Sequence, residues 1–323
     1  MRPIALPPIH SKSAVSQLPS EAEKVPHSAK RSGTARHWTI GAFGLVFLLP
    51  VSLWAAGFNF KDEGKTEDEP AAKTESATTE KVDKAAHTPT FCQKDEEAGF
   101  ADGGSNYCAP TSISNGLFYL AQARGFGKLV PGRSHEDQIE LIKELADLMN
   151  TDPKEGTSPD KILTGLKQYV EGRGLQIKRL EVATWRKLSS ANKSCLVGAK
   201  PNLEWMRKAA LDPDCVEVFN VGWYQEESEG YSRNGGHWIT VVGAGSGSGE
   251  FAVHNPILQS DAQKTKKAVT LTKLDHEFKY VNSNGNLDGD MNGYFQVEGP
   301  GLPYGGKTAA AVLDSVIVFS VSK

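Results

Sequence analysis

The sequence has little positive charge to spare. Its 323 residues set 36 Lys and Arg against 39 Asp and Glu, for a formal net charge of −3. No basic patch interleaved with aromatics stands out, so nothing here neutralises a run of phosphates, and a nucleic-acid binder is excluded. Cysteine is scarce too: the four present match no zinc spacing. There is no internal repeat. The glycine-rich "GSGSG" at residues 245–249 lacks the following helix that a phosphate site needs, and reads as a turn. "NSNGNLDGDMNGYF" has the look of a calcium loop but carries Phe295 where an EF-hand needs Glu, so it reads as a polar hairpin loop.

Long apolar runs are also rare, with one exception. "WTIGAFGLVFLLPVSLWAAGF", residues 38–58, holds no charge. At about 1.5 Å per residue it is long enough to cross a hydrocarbon core of about 30 Å. Trp38 and Trp54 stand near its ends, where amphipathic rings favour the interface, and Phe58 closes it. Membrane helices tolerate a kink such as Pro50 would give. Residues 1–37 carry Arg2, Lys12, Lys24, Lys30, Arg31 and Arg36 against Glu21 and Glu23, whereas residues 59–90 carry five lysines against eight acids. The positive-inside rule then leaves a disordered tail, 1–37, in the cytoplasm and exports everything past Phe58. No small-residue cleavage site follows the run, so an uncleaved anchor is expected rather than a signal peptide.

Residues 59–90 are rich in Glu, Lys, Thr and Ala and poor in large apolar side chains, which predicts a disordered linker. One folded domain is expected over residues 91–323. Its first half has helical period. Ile113, Leu117, Leu120 and Ala121 share a face; Ser134 with Asp137 makes a capping-box pattern ahead of Ile139, Ile142 and Leu145; Ser158 and Pro159 open a third helix that Gly172 or Gly174 ends. A shorter helix is expected in "PNLEWMRKAAL". The second half changes period. "CVEVFNVGWY", "HWITVVGA", "EFAVHN", "KAVTLTKL", "GYFQVEG" and "AVLDSVIVFSV" read as strands between Gly- and Asn-rich turns. Helices first and strands afterwards predict an α+β domain with an antiparallel sheet.

Cys108, in "DGGSNYCAPTS", sits where a glycine-rich loop meets the first turn of a helix. That position offers the positive end of the macrodipole and unpaired backbone N–H groups, which favour a thiolate and face a developing oxyanion. A thiolate nucleophile needs a base and something to orient it. Four of the eight histidines lie in the tail, anchor edge or linker, and His135 and His276 read as solvated. His237 follows two glycines in "NGGHWITVVG", and Asn255, on the returning strand "EFAVHNP", comes near it across a hairpin. Its neighbour His254 points to the other face, so Asn255 is favoured as the partner that holds the ring. An exported domain permits disulfides: Cys195 with Cys215 is one pairing, Cys92 competes for either, and a bridge to Cys108 would abolish a nucleophilic role.

"YCAPTS", "GGHWITVVG" and "VHNP" together resemble the papain-like cysteine peptidases, closest to the double-glycine leader (bacteriocin-processing) peptidase branch and its relatives. The resemblance implies a papain-like fold and hydrolysis of peptide bonds without a metal or cofactor, with Cys108 as nucleophile, His237 as base and Asn255 orienting it. The family usually has Gln six residues before the nucleophile as an oxyanion donor; here that position is Asp102, and Asn106, or Gln93 on a reshaped loop, are the other candidates. The expected partners are a peptide or protein substrate and, through residues 38–58, the membrane. The rival expectations are a non-catalytic peptidase-like module that binds peptide, and a hydrolase of peptidoglycan stem peptides, although the latter more often shows Asp-Cys-Ser at the nucleophile.

Overall fold

The computed structural model describes residues 83–257, 267–281, 287–299, 302 and 309–323. The expected anchor at 38–58, the tail before it and the linker up to residue 82 lie outside the described residues. Among the described residues, no helix is long and apolar enough to cross a membrane. The chain is mixed α and β, with helices first and a sheet-rich C-terminal part, an order compatible with an α+β domain.

Packing begins ahead of Phe91. A short helix, α1 (Lys84–His87), is capped by Asp83 and buries Lys84, whose ammonium donates to the carbonyls of Ala209 and Cys215. The long helices follow as α2 (Cys108–Ala123), α3 (His135–Leu148) and α4 (Pro159–Gly172). At α3 the Ser134 hydroxyl accepts from Asp137 N–H at 3.1 Å while the Asp137 carboxylate accepts from Ser134 N–H at 2.8 Å, the reciprocal capping box the sequence predicts. Ser158 caps α4 and Pro159 opens it. Between helix and sheet come β1 (Gln176–Thr184) and β2 (Leu196–Gly198), then α5 (Leu203–Leu211). The remaining strands are β3 (Val216–Glu227), β4 (Gly230–Ala244), β5 (Glu250–His254), β6 (Lys267–Lys273), β7 (Lys279–Val281), β8 (Leu287–Asp290), β9 (Phe295–Glu298) and β10 (Ala310–Ser322).

The strand pairings close on themselves. β3 pairs β4, β4 pairs β5, β5 pairs β6, β6 pairs β9, β9 pairs β10, and β10 returns to β3. Alternation then sorts the side chains. Phe219, Val221, Ile239, Val241, Phe251, Val253, Val269, Leu271, Val297 and Leu313 pack with one another and with Met206 and Ala209 of α5. Val218, Trp238, Ile317 and Phe319 face the other way, onto Ile113, Leu117 and Leu120 of α2 and the apolar faces of α3 and α4. Each fully buried Leu or Ile of this interface contributes roughly 1.5–3 kcal/mol. Two polar clamps fix α2 to β4: Ser112 Oγ donates to Trp238 C=O and Thr240 Oγ1 donates to Ser112 C=O, both at 3.0 Å and both buried. Those clamps set where Cys108, one turn upstream of Ser112, meets β4.

Candidate functional site

Cys108 begins α2, with Tyr107 as a cap that offers no side-chain hydrogen bond. The first-turn N–H groups are therefore left to other partners. The thiol is buried, and the backbone N–H groups of Trp238, Ala109 and Cys108 itself favour its thiolate, as does the charge of Arg233. Burial outweighs all of them and pushes the thiol up to about 11. The sequence expectation that a helix N-terminus makes this thiolate cheap is thus corrected. The macrodipole acts, but desolvation of a fully enclosed sulfur is the larger effect.

His237 is on β4, opposite Val221 of β3, buried and stacked against the Trp223 ring with centroids 6.2 Å apart. Its Nε2 lies 2.7 Å from Asn255 Oδ1. Asn255 follows the last residue of β5, and the Thr240↔His254 register makes this a diagonal contact rather than a directly opposed pair. The tautomer follows from hydrogen-bond accounting. Asn255 Oδ1 also accepts from Ile257 N–H at 3.1 Å, which assigns that atom as the oxygen. An oxygen facing Nε2 requires Nε2 to carry the proton, so in the neutral ring Nδ1 is the basic nitrogen. Burial pushes the imidazole down to about 4, against the opposing pull of the Asn255 bond, so the ring is neutral near pH 7. His254 turns elsewhere, its Nδ1 3.2 Å from Pro89 C=O.

The structure thus brings His237 and Asn255 into contact and sets the Cys108 sulfur against the peptide N–H that follows His237. The candidate oxyanion donors are placed differently. Asp102 is exposed, in a left-handed conformation (φ 49°). Asn106 spends its Nδ2 on Pro153 C=O at 2.7 Å. Gln93 is buried and ties the site together. Its Nε2 donates to Gly104 and Ser105 carbonyls in the loop leading to Cys108, and its backbone N–H donates to Pro256, next to Asn255. Its Oε1 is buried without a partner. Nothing in the local pattern around "FCQKDEE" signals that role, because its contacts are all with backbone far along the chain.

The four cysteines form no disulfide. Cys215 instead donates its thiol to Asp212 at 3.3 Å, beside Arg179. Asp95, Glu97 and His135 place one ligand-type atom each within 4.8 Å of one another, with His135 Nε2 3.2 Å from Asp95 Oδ2; they form a surface ion-pair cluster. No protein-family model and no curated protein matches this sequence.

Proposed function

We propose that the described domain is a papain-like cysteine peptidase, held outside the cytoplasm by a membrane anchor at residues 38–58. The observation that carries the reading is the 2.7 Å contact between His237 Nε2 and Asn255 Oδ1, with the oxygen pinned by Ile257 N–H. That arrangement leaves Nδ1 as the basic nitrogen, on the residue just before the Trp238 N–H that faces the Cys108 sulfur. In the proposed step, Cys108 sulfur attacks the scissile carbonyl carbon as its proton passes to His237 Nδ1. The C–S bond forms and the carbonyl π pair moves to oxygen, where backbone N–H groups of the first turn of α2 receive it. The C–N bond then breaks with the proton returned from Nδ1 to the leaving amine, and water hydrolyses the thioester.

Because the resting pair is neutral, proton transfer accompanies attack instead of preceding it. The reading is tested with a peptide vinyl sulfone. The expected result is one adduct per chain by intact mass, located on Cys108, slowed about 10²–10⁴-fold in His237→Ala, the usual span for a lost general base. Labelling that is indifferent to His237 overturns it. A second reading, a peptide-binding module without turnover, is favoured by one observation: the side-chain amides of Gln93 and Asn106 are both spent on backbone carbonyls. Peptide binding that leaves no acyl adduct with any substrate would select it.

A further inference from the structure

A second polar cluster touches the site only through the charge of Arg233, which favours the Cys108 thiolate; its other members take no part in the mechanism above. On β10, Asp314 is fully buried at an irregularity in the pairing with β3. Its carboxylate accepts from Tyr224 OH at 2.7 Å and from Arg233 Nε at 2.6 Å. Both oxygens are thereby engaged. Arg233 reaches on towards Asn220 Oδ1 at 3.4 Å. The floor of the cluster is bare of side chains for a steric reason. A Cβ on Gly222 would stand 2.3 Å from the Asp314 carboxylate, and one on Gly236 would stand 2.1 Å from Arg233 Nη2. Gly236 immediately precedes His237, so the Arg233 guanidinium lies over the backbone that delivers the base.

Arg186 is the anomaly. It lies within the field of Arg233 and Asp314, half-buried, with its guanidinium 4.9 Å over the Trp185 ring. Among the described residues no carboxylate lies within ion-pair distance of it, and Asp314 is already committed to Arg233. Two cations thus share one anion. The Trp185 indole Nε1 beneath Arg186 is buried and has no acceptor. Burial works against the Arg186 cation. A partly desolvated cation with unused donors, next to an orphaned N–H, is stabilised by an incoming anion with planar acceptors. Gly235 and Gly236 are covered by the Trp223 ring and the Arg233 guanidinium, so the open side of the cluster is the one that Arg186 and Trp185 face.

We propose that Arg186, above the Arg233–Asp314 pair, is an anion subsite that selects peptides carrying a carboxylate near the bond presented to Cys108. The proposal rests on the peptidase reading for its placement, but binding tests it without turnover. The probes are acetylated, amidated alanine pentapeptides with Glu or Gln at the centre, and an alanine pentapeptide with a free C-terminal carboxylate. Each is titrated by calorimetry into full-length Cys108→Ala protein in detergent. The Glu peptide is expected to bind about 10- to 100-fold tighter than its Gln twin, the worth of a charge-assisted pair in a half-buried site. Arg186→Gln is expected to erase that preference and Arg186→Lys to keep part of it. Because no carboxylate among the described residues is ion-paired to Arg186, both variants are expected to fold.

A free-carboxylate peptide that binds more tightly than the Glu peptide supports the same chemistry with the chain end as its source. Equal binding of all three probes, or binding of none, overturns the proposal. A retained Glu preference in a protein that never labels at Cys108 would sink the peptidase reading and leave the anion subsite standing. Normal labelling with no preference would do the reverse.

Discussion

Two buried thiols in this chain are both raised by burial, yet an anion faces only one of them. Cys108 and Cys215 are both pushed up to about 11, in each case chiefly by burial. At Cys215 a carboxylate adds to the push: the thiol donates to Asp212, and a thiolate there would face an anion at hydrogen-bond distance. At Cys108 everything except burial pulls the other way, with three backbone N–H groups and Arg233 stabilising negative charge on sulfur. Cys215 also takes a hydrogen bond from Arg179 at 3.5 Å, so the contrast is that an anion faces one sulfur and none faces the other. The difference teaches that resting acidity alone does not separate a candidate nucleophile from a structural thiol; the groups already in place to stabilise the charge left on sulfur do.

The sharpest way to break that comparison is to remove each sulfur in turn. Cys108→Ala is expected to abolish labelling by a peptide vinyl sulfone and any peptide hydrolysis, whereas Cys215→Ala leaves both within about twofold, since its partners lie outside the transition state. Intact-mass spectrometry and a fluorogenic peptide assay read the two. Labelling that survives in Cys108→Ala and vanishes in Cys215→Ala would invert the assignment.

The two neighbourhoods also differ in the sign of their pH dependence. His237 is held neutral by burial, down to about 4 against an ordinary value of 6.5. The unfolded chain therefore takes up a proton here before the native chain does, and stability is lost as pH falls through the window from 6.5 to 4. Over that window the loss is about 3 kcal/mol from this group. Near Cys215, Glu217 is buried with neither carboxylate oxygen hydrogen-bonded, and burial holds its acid well above the usual range. There the native state keeps a proton that the unfolded state releases, so stability is lost as pH rises above 4.5. Denaturant titrations of His237→Gln and Glu217→Gln across pH separate the effects. The first variant flattens the acid limb and the second flattens the fall above 4.5; the opposite pairing would reverse the assigned causes.

A third substitution probes how the Cys108 surroundings are built. Ser112 Oγ donates to the Trp238 carbonyl inside the helix–sheet interface. Ser112→Ala leaves that buried carbonyl with one partner fewer, and a cost of about 1–3 kcal/mol in stability is expected. Because the same bond positions β4 against the start of α2, the labelling rate at Cys108 should fall as well. A full stability loss with an unchanged rate would mean that the clamp holds the fold and not the site.

Much of this architecture was legible because local rules and tertiary packing agree. Ser134 with Asp137, and Ser158 with Pro159, are caps in sequence and caps in space. The strands around His237 and Asn255 show their alternation because one face meets α2 and the other fills the closed ring of strands. β1 was missed for the converse reason. "QIKRLEVAT" carries charge through its middle, and Arg179 and Glu181 pair along it at 2.6 Å on a half-exposed stretch, so no period of two survives. Within the site, the helix start at Cys108 and the contact between His237 and Asn255 could be read from short blocks. Gln93 could be named from the sequence only as an oxyanion donor; its role as a tie could not, since its groups join backbone that the fold brings together. Nor could the direction of the Cys108 shift: a helix start is visible in sequence, but the depth at which it is buried is not.

The smallest expected effect is a control on the whole comparison. Ser134 caps α3, remote in sequence from both thiols, and its hydroxyl satisfies one of the donors that a helix start leaves open. Ser134→Ala removes that acceptor, while Asp137 can still accept from the backbone N–H of residue 134. The expected cost is about 1 kcal/mol, the usual worth of such a cap, seen as a lower denaturation midpoint with an unchanged slope. Labelling at Cys108 is expected to stay at the parent rate, because α3 contributes no group to the thiol, the imidazole or the amide. If this variant slows labelling as much as Ser112→Ala does, then rate follows global stability, and the distinction between the two thiol neighbourhoods loses its local meaning.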